Sequence, residues 1–197
     1  MSEPAAVHES LRNQPATMPL AERVNFQSVF EGLFLTAFRD ELTPELRQQL
    51  RSAGLDLNDL KAAYPHSVFL DSLKLAAAAW FPTEPVSTAY VKLGERNIEG
   101  FFQTFLGRPL LVLLKVLGPR RTLGRMRANF RSANNDVESK LVELSPTEFQ
   151  LWMNEAGDIR YFIQGVVQRG VTMAGAPQLV MDVLSTDANG TVFRVRL

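Results

Sequence analysis

The chain has 197 residues, of which 46% are hydrophobic and 21% are charged, with 21 basic and 21 acidic side chains. A chain of this length folds as one domain, or as one domain with tails, and builds a hydrophobic core without covalent cross-links. It has no cysteine and only two histidines, His8 and His66. This composition excludes disulfides, thiolate zinc sites, iron–sulfur clusters and a cysteine nucleophile, and we predict no metal site.

The zero net charge hides an uneven distribution of charges along the chain. Residues 1–60 carry nine acidic and five basic residues, whereas the stretch between Glu99 and Asp136 carries seven basic residues and no acidic one. Such asymmetry indicates either an anionic partner or pairing between an acidic and a basic face of the same molecule.

The start of the chain lacks the basic and apolar regions of a signal peptide, and the longest apolar stretch, residues 109–116, is too short to span a membrane. We therefore predict a cytoplasmic protein that does not insert into a membrane. Residues 1–23 contain three prolines among small and polar residues, and we predict that they form a flexible tail.

A single α+β domain is expected over residues 24–197, and its first two thirds show the spacing of helices. Apolar residues three and four apart over 24–38 predict a helix, although 24–30 also fits a short strand. Thr43 and Pro44 predict the start of a helix that Gly54 ends. Further helices are predicted over a short segment ending near 64–65 and over 67–81, 86–106 (despite Gly94 and Gly100), 108–117 and 119–130.

After Asn134 and Asn135 the apolar spacing changes from that of helices to that of strands. Residues 137–144 and 149–153 predict one β-hairpin, residues 158–174 a helix, and residues 178–185 and 191–197 a second hairpin around the turn 187–190. The predicted fold is therefore a helical N-terminal layer packed on a four-stranded antiparallel sheet with the order hairpin, helix, hairpin.

Several short motifs resemble those of a family of uncharacterised paralogous proteins from myxobacteria. They are VFEGLF (29–34), LDL (55–57), AYP (63–65), LGPRR (117–121), NFRSANN (129–135), LWMNE (151–155) and FRVRL (193–197). The resemblance covers nearly the whole domain, and it implies relatives but no activity.

The order of elements is also similar to the ligand-binding fold shared by haem nitric-oxide sensors, four-vinyl-reductase-type sensors and trafficking subunits that enclose an acyl chain. The haem sensors carry a Tyr-x-Ser-x-Arg clamp for the haem propionates, but the corresponding hairpin here reads Leu151, Trp152, Met153, Asn154, Glu155. The vinyl-reductase type carries metal-binding cysteines, which this chain lacks. The resemblance therefore implies neither haem nor zinc, and we predict no cofactor.

The basic segment 119–131 is the strongest candidate for a binding site. Arg121 and Arg125 are four residues apart, as are Arg127 and Arg131, and Arg120 lies beside them. Guanidinium groups with this spacing can converge on a phosphate or carboxylate, and Asn134 and Asn135 could orient the ligand. Alternatively, the arginines form ion pairs with the acidic first third of the chain or lie on a solvated helix face, and the asparagines form a turn. The whole chain is not basic enough to predict nucleic-acid binding.

Phenylalanines form a second candidate site, because Phe30, Phe34, Phe101 and Phe105 could line a pocket for an apolar ligand. Phenylalanines at helical spacing also fill ordinary cores, and their number does not separate the two alternatives. No catalytic residue is assigned, since the paired carboxylates and His66 lack partners at a spacing that indicates acid–base chemistry, and no phosphate-binding loop or nucleophile elbow is present.

These patterns predict a non-enzymatic signalling protein, either a sensor or an interaction domain, that binds a small ligand or a partner protein. A homodimer is a further expectation, because the C-terminal strand offers an edge for pairing. The alternative is a regulatory protein that binds an anion or nucleotide through segment 119–131.

Overall fold

The N-terminal half is built from helices whose ends follow the capping residues. In the computed structural model, which describes residues 6–11, 14 and 18–197, helix α2 covers Pro44–Ser52. The side chain of Thr43 accepts a hydrogen bond from the amide of Leu46 at 3.2 Å, and Gly54 follows the helix with a φ of 96°. Both capping predictions are confirmed.

The other helices follow the predicted spans with shifts of a few residues at their ends. They are α1 (Gln27–Phe30), which continues as a π-helix over Glu31–Ala37, α3 (His66–Trp80), α4 (Val86–Phe101), α5 (Gly107–Gly124), α6 (Met126–Phe130) and α7 (Ile159–Met173). Helix α5 bends at Gly118, which has a φ of 75°. The helical segments predicted on either side of Gly118 are therefore found, but the second one is broken again between α5 and α6.

The short helix predicted before Tyr64 is wrong. Residues 63–65 instead form strand β2 (Ala63–Pro65), which pairs antiparallel with β1 (Val24–Phe26), so that Asn25 lies opposite Tyr64. Asp56 contributes to the error, because its side chain accepts a hydrogen bond from the amide of Asn58 at 2.9 Å and thereby favours a turn over a helix. Of the two alternatives for residues 24–30, the chain uses both, a strand followed by a helix.

The C-terminal third is a four-stranded antiparallel sheet, as predicted. Its strands are β3 (Ser139–Ser145), β4 (Glu148–Met153), β5 (Val180–Asp187) and β6 (Gly190–Arg196), in the order β3-β4-β6-β5. Leu151 in β4 lies opposite Leu141 in β3 and Phe193 in β6. One face of the sheet joins the helices in the main hydrophobic core, so the α+β architecture is confirmed.

Helices α4 and α7 pack backbone to backbone through two glycines. A Cβ atom at Gly94 would lie 2.1 Å from the carbonyl oxygen of Phe162, and one at Gly165 would lie 2.1 Å from the carbonyl oxygen of Val91. Neither position leaves room for a side chain. The glycine that interrupts the predicted helix over 86–106 therefore allows close contact with α7.

The second face of the sheet is covered by residues 6–11. Leu11 packs on Trp152 and Val192, and the side-chain amide of Gln150 bonds the backbone at two points. Its oxygen accepts from the amide of His8 at 2.7 Å, and its nitrogen donates to the carbonyl of Ala6 at 2.7 Å. Both faces of β4 are therefore buried.

Candidate functional site

A largely apolar cavity lies between α4, α5, α6 and α7. Its apolar wall is formed mainly by side chains of these four helices: Ile98, Phe101, Phe102, Leu110, Leu114, Met126, Phe130, Ile159, Phe162, Ile163, Val166, Val167 and Val171. The space that the centre of a water molecule can reach within it is about 80 Å³. A single buried water needs only about 10–15 Å³ on this measure, so the cavity has room for a small organic molecule.

One end of the cavity is polar. Asn25, His66, Asn134 and Glu155 contribute to this part of the wall. The imidazole Nδ1 of His66 lies 2.8 Å from the amide oxygen of Asn25. The sequence pattern brings these groups together because β1 pairs with β2 next to His66, and because Asn134 forms an isolated bridge with Asn25.

A buried charge cluster lies behind this polar end. Arg23 reaches two carboxylates, with its Nε 3.3 Å from Oδ2 of Asp136 and its Nη1 3.6 Å from Oε2 of Glu155. All three side chains are largely removed from water. Two carboxyl groups therefore share one guanidinium, which favours protonation of one of them.

Burial changes the protonation of both titratable groups on the cavity wall. Desolvation, with a smaller contribution from the charge of Asp136, raises the pKa of Glu155 to about 8, and Arg23 only partly opposes this shift. Desolvation, assisted by the charge of Arg23, lowers the pKa of His66 to about 4. At neutral pH the cavity therefore presents an uncharged imidazole and a mainly protonated carboxyl group.

The arginines of segment 119–131 do not border the cavity, and they do not converge on one point. Arg120 pairs with Glu143 at 2.5 Å, while Arg127 and Arg131 both pair with Glu138, at 2.9 and 3.4 Å. Arg121 and Arg125 are exposed and form no ion pair within the described residues. Three of the five candidate arginines therefore form ion pairs within the protein. Their partners are Glu143 in β3 and Glu138 just before it, and not acidic residues of the first third of the chain.

The two asparagines tie β1 to the turn after α6. The side-chain oxygen of Asn135 accepts from the amide of Val24 at 2.9 Å, and its nitrogen donates to the carbonyl of Glu22 at 3.0 Å. The side-chain oxygen of Asn134 accepts from the amide of Val137 at 3.2 Å, within the turn. Asn134 also borders the cavity, whereas Asn135 does not.

The four candidate phenylalanines lie in three different environments. Phe101 lines the cavity. Phe30 and Phe34 are fully buried in the main core, where the ring of Phe30 contacts that of Tyr64 at 4.9 Å between centroids. Phe105 is 90% exposed on the surface. The structure therefore does not bring these four side chains to one pocket.

Sequence reasoning missed the residues that shape the polar end. Arg23 lies in the predicted tail, and Glu155 was noticed only as part of the LWMNE motif. A carboxyl group directly after a strand of alternating apolar residues was the available signal. Its contact with Arg23 joins the start of the chain to the end of β4, and spacing along the sequence does not indicate a contact of this range.

The described part of the chain, residues 6–11, 14 and 18–197, lacks two features. No helix there is long and apolar enough to cross a membrane. No group of three or more His, Asp or Glu side chains there is placed to hold a metal ion.

Comparison with known proteins identifies a sequence family. A family model described as "Protein of unknown function (DUF2378)" matches residues 23–196. Among curated protein sequences none matches this chain. The predicted resemblance to a family without an assigned activity is thus confirmed.

Solved structures of H-NOX proteins share the fold. The unliganded Fe(II) H-NOX protein from K. algicida superposes with a TM-score of 0.58 at 13% identity, covering 86% of this chain and 94% of that chain. A mutant of the same protein superposes with a TM-score of 0.60 at 14% identity, covering 87% of this chain and 95% of that chain. A structure from work on haem redox potential and porphyrin distortion superposes with a TM-score of 0.61 at 11% identity, covering 86% of this chain and 99% of that chain. The predicted similarity to the haem-sensor fold is confirmed at the level of the fold.

Haem is the group with which some of those structures are concerned, and the cavity described here does not fit it. The Nδ1 of His66 bonds Asn25, so Nε2 is the nitrogen that could ligate iron, and this bond does not itself exclude haem. The residues that line the cavity include the carboxyl group of Glu155 but no arginine or lysine that could pair with haem propionates, and Arg23 is shared between Glu155 and Asp136. None of the arginines at 120–131 borders the cavity.

Proposed function

We propose that this chain, which belongs to the DUF2378 family of proteins of unknown function, is a non-catalytic sensor domain that binds one small ligand in the cavity between α4, α5, α6 and α7. The observation that supports the proposal most directly is the cavity itself, an apolar space of about 80 Å³ with a polar end formed by Asn25, His66 and Glu155. The H-NOX fold is consistent with such a role. Ligand binding would signal to a partner protein.

The chemistry of the wall selects the class of ligand. The aliphatic and aromatic side chains suit a small apolar body. The uncharged His66 and the mainly protonated Glu155 can each exchange a hydrogen bond with a hydroxyl or carbonyl group at neutral pH. The ligand is therefore a small, mostly apolar, uncharged molecule with one polar end, and an anionic analogue of the same size binds more weakly.

The test uses a matched pair of probes, 1-hexanol and hexanoate, in thermal unfolding at pH 7. We expect 1-hexanol to raise the melting temperature in a saturable way, by about 3–6 °C when its concentration reaches about ten times the dissociation constant. Hexanoate at equal concentration should give a smaller shift. Native mass spectrometry of the purified protein checks for a ligand retained from the cell.

Variants that fill the cavity decide whether any shift arises there. Val167→Phe and Leu114→Phe place extra volume on opposite walls and should abolish the 1-hexanol shift. Val183→Phe makes the same kind of change at a half-buried position on β5 that does not border the cavity, and it should leave the shift intact. An equal shift in the filled variants, if they remain folded, would contradict the proposal.

Binding of an anion or nucleotide through segment 119–131 remains the alternative function. The two exposed arginines without ion pairs, Arg121 and Arg125, are the side chains available for it. A melting-temperature shift with ATP or a cyclic dinucleotide that disappears in the Arg121→Ala, Arg125→Ala double variant would support this alternative. A shift that survives the double variant would exclude this segment as its cause.

A further inference from the structure

Helix α5 and the residues just before it carry an exposed apolar surface. Phe105 is 90% exposed, Val116 79%, Val112 64% and Leu106 60%, and Leu113 is also exposed. Scattered exposed apolar residues are normal, but five large exposed apolar side chains within residues 105–116 indicate an interaction surface. We call these five side chains the α5 apolar face.

Helical geometry places the three members of this face that lie within α5 away from the buried side of the helix. Val112, Leu113 and Val116 are one, three and four residues apart and therefore lie on one side of the helix. Leu114 lies on the other side, where it packs with Phe101 and Phe102. Helix α5 thus has two apolar sides, of which only one is covered within the described residues.

Unpaired cations accompany the apolar face. Arg108 and Lys115 are seven residues apart, so they lie two turns apart along the same edge of the helix. Both are exposed and form no ion pair within the residues that the structure describes, and the same is true of Arg121 and Arg125 farther along the chain. The sequence has no acidic residue between Glu99 and Asp136 that could neutralise them.

We propose that the α5 apolar face docks on the surface of an anionic lipid bilayer. The apolar side chains enter the interfacial region of the bilayer, while Arg108, Lys115, Arg121 and Arg125 contact anionic headgroups. This is attachment to a surface and needs no helix that crosses the membrane. It is independent of ligand binding in the cavity.

Charge favours a bilayer over a second copy of the chain. A two-fold symmetric dimer through α5 would bring the same edge of cations on each subunit to one interface, where they would repel each other. A nucleic acid would engage the cations but would leave the apolar side chains without a partner. An anionic bilayer satisfies both the charges and the apolar side chains.

Vesicle co-sedimentation of the full chain tests the proposal. Vesicles of phosphatidylcholine alone are compared with vesicles containing phosphatidylglycerol. We expect binding to the anionic vesicles that weakens when salt rises from 0.05 to 0.5 M, because screening reduces the attraction of the headgroups. Lys115→Gln and Arg121→Gln should each weaken binding about fivefold.

The contribution of the apolar side chains to vesicle binding is tested with a double variant that combines Val112→Asp and Val116→Asp. Both positions are exposed, so the double variant should keep the melting temperature of the parent while binding falls at least tenfold. The matched controls are Val86→Asp, at an exposed position on α4, and Lys74→Gln, on α3; neither should change binding.

Three results would overturn the proposal. The first is no binding to anionic vesicles. The second is binding that is equal in the parent and in the Val112→Asp, Val116→Asp variant. The third is self-association without vesicle binding that the double variant abolishes, which would show that a second copy covers the face.

Discussion

At the scale of single residues, the polar end of the cavity shows where sequence reasoning stops. His66 could be recognised as one of two imidazoles, but its partner Asn25 is 41 residues away in the chain and meets it only because β1 pairs with β2. The contact of β1 with residues 133–135 brings Arg23 to Asp136 and Glu155. Long-range contacts of this kind have no local signature, so the site could not be derived from spacing.

The opposite pKa shifts of Glu155 and His66 predict opposite effects of pH on stability. The pKa of Glu155 is higher in the folded state than in the unfolded state, so the folded state holds a proton that the unfolded state releases. The contribution of Glu155 to the free energy of unfolding therefore falls as pH rises from about 4.5 to about 8. In Glu155→Gln this fall should be smaller, by roughly 1 kcal/mol per pH unit at most.

His66 acts in the other direction. The pKa of His66 is lower in the folded state, so the unfolded state binds the extra proton and stability is lost as pH falls from about 6.5 to about 4. His66→Gln should flatten this acid side of the profile. Urea unfolding at pH 5, 6, 7 and 8 measures both variants against the parent. Parallel profiles in all three proteins would contradict the assigned protonation states.

At the scale of elements, local patterns were sufficient where local interactions decide. Thr43, Pro44 and Gly54 set the ends of α2, and the alternation of Phe149, Leu151 and Met153 identified β4. Local patterns failed for β2, whose three residues are held by pairing with a distant strand. Local patterns also did not indicate the packing role of Gly94, because a glycine that permits close helix packing looks the same in sequence as one that weakens a helix.

The packing of α4 on α7 predicts a large difference between two glycines of one helix. A Cβ atom at Gly165 would clash with the backbone of α4, whereas one at Gly170 would meet only a side-chain carbon of Ile98 at 3.7 Å. Gly165→Ala should destabilise the fold by about 1–3 kcal/mol or more. Gly170→Ala should be neutral or stabilising by up to about 1 kcal/mol.

Chemical denaturation of the two alanine variants checks this prediction. They share the same substitution, the same helix and the same gain in helix propensity. Equal stability of Gly165→Ala and Gly170→Ala would mean that α4 and α7 do not approach each other as closely as described.

At the scale of the whole molecule, the first residues of the chain matter more than their composition indicates. The predicted tail over 1–23 includes residues 6–11, which cover the second face of the sheet through Leu11. Composition gave no indication of this, because one leucine among polar residues is a weak signal. Its effect depends on Trp152 and Val192, which are brought together only in the folded sheet.

Replacement of Leu11 measures how firmly this segment is held. Leu11 is buried, so Leu11→Ala should reduce the free energy of unfolding by about 1–3 kcal/mol and increase the exposure of Trp152. Leu20→Ala, at an exposed leucine, should change it by less than about 0.5 kcal/mol. Denaturation followed by tryptophan fluorescence distinguishes the two. Equal, small effects would show that residues 6–11 detach readily, as expected for a flexible tail.

The glycine contact between α4 and α7 also determines how the cavity can change in size. At Gly94 and Gly165 the two backbones leave no room for the helices to move closer together, so they form a rigid wall. Expansion must therefore displace the opposite wall, α5 and α6, and α5 contains the bend at Gly118. A guest too large for the resting cavity would push outward on the side that faces solvent.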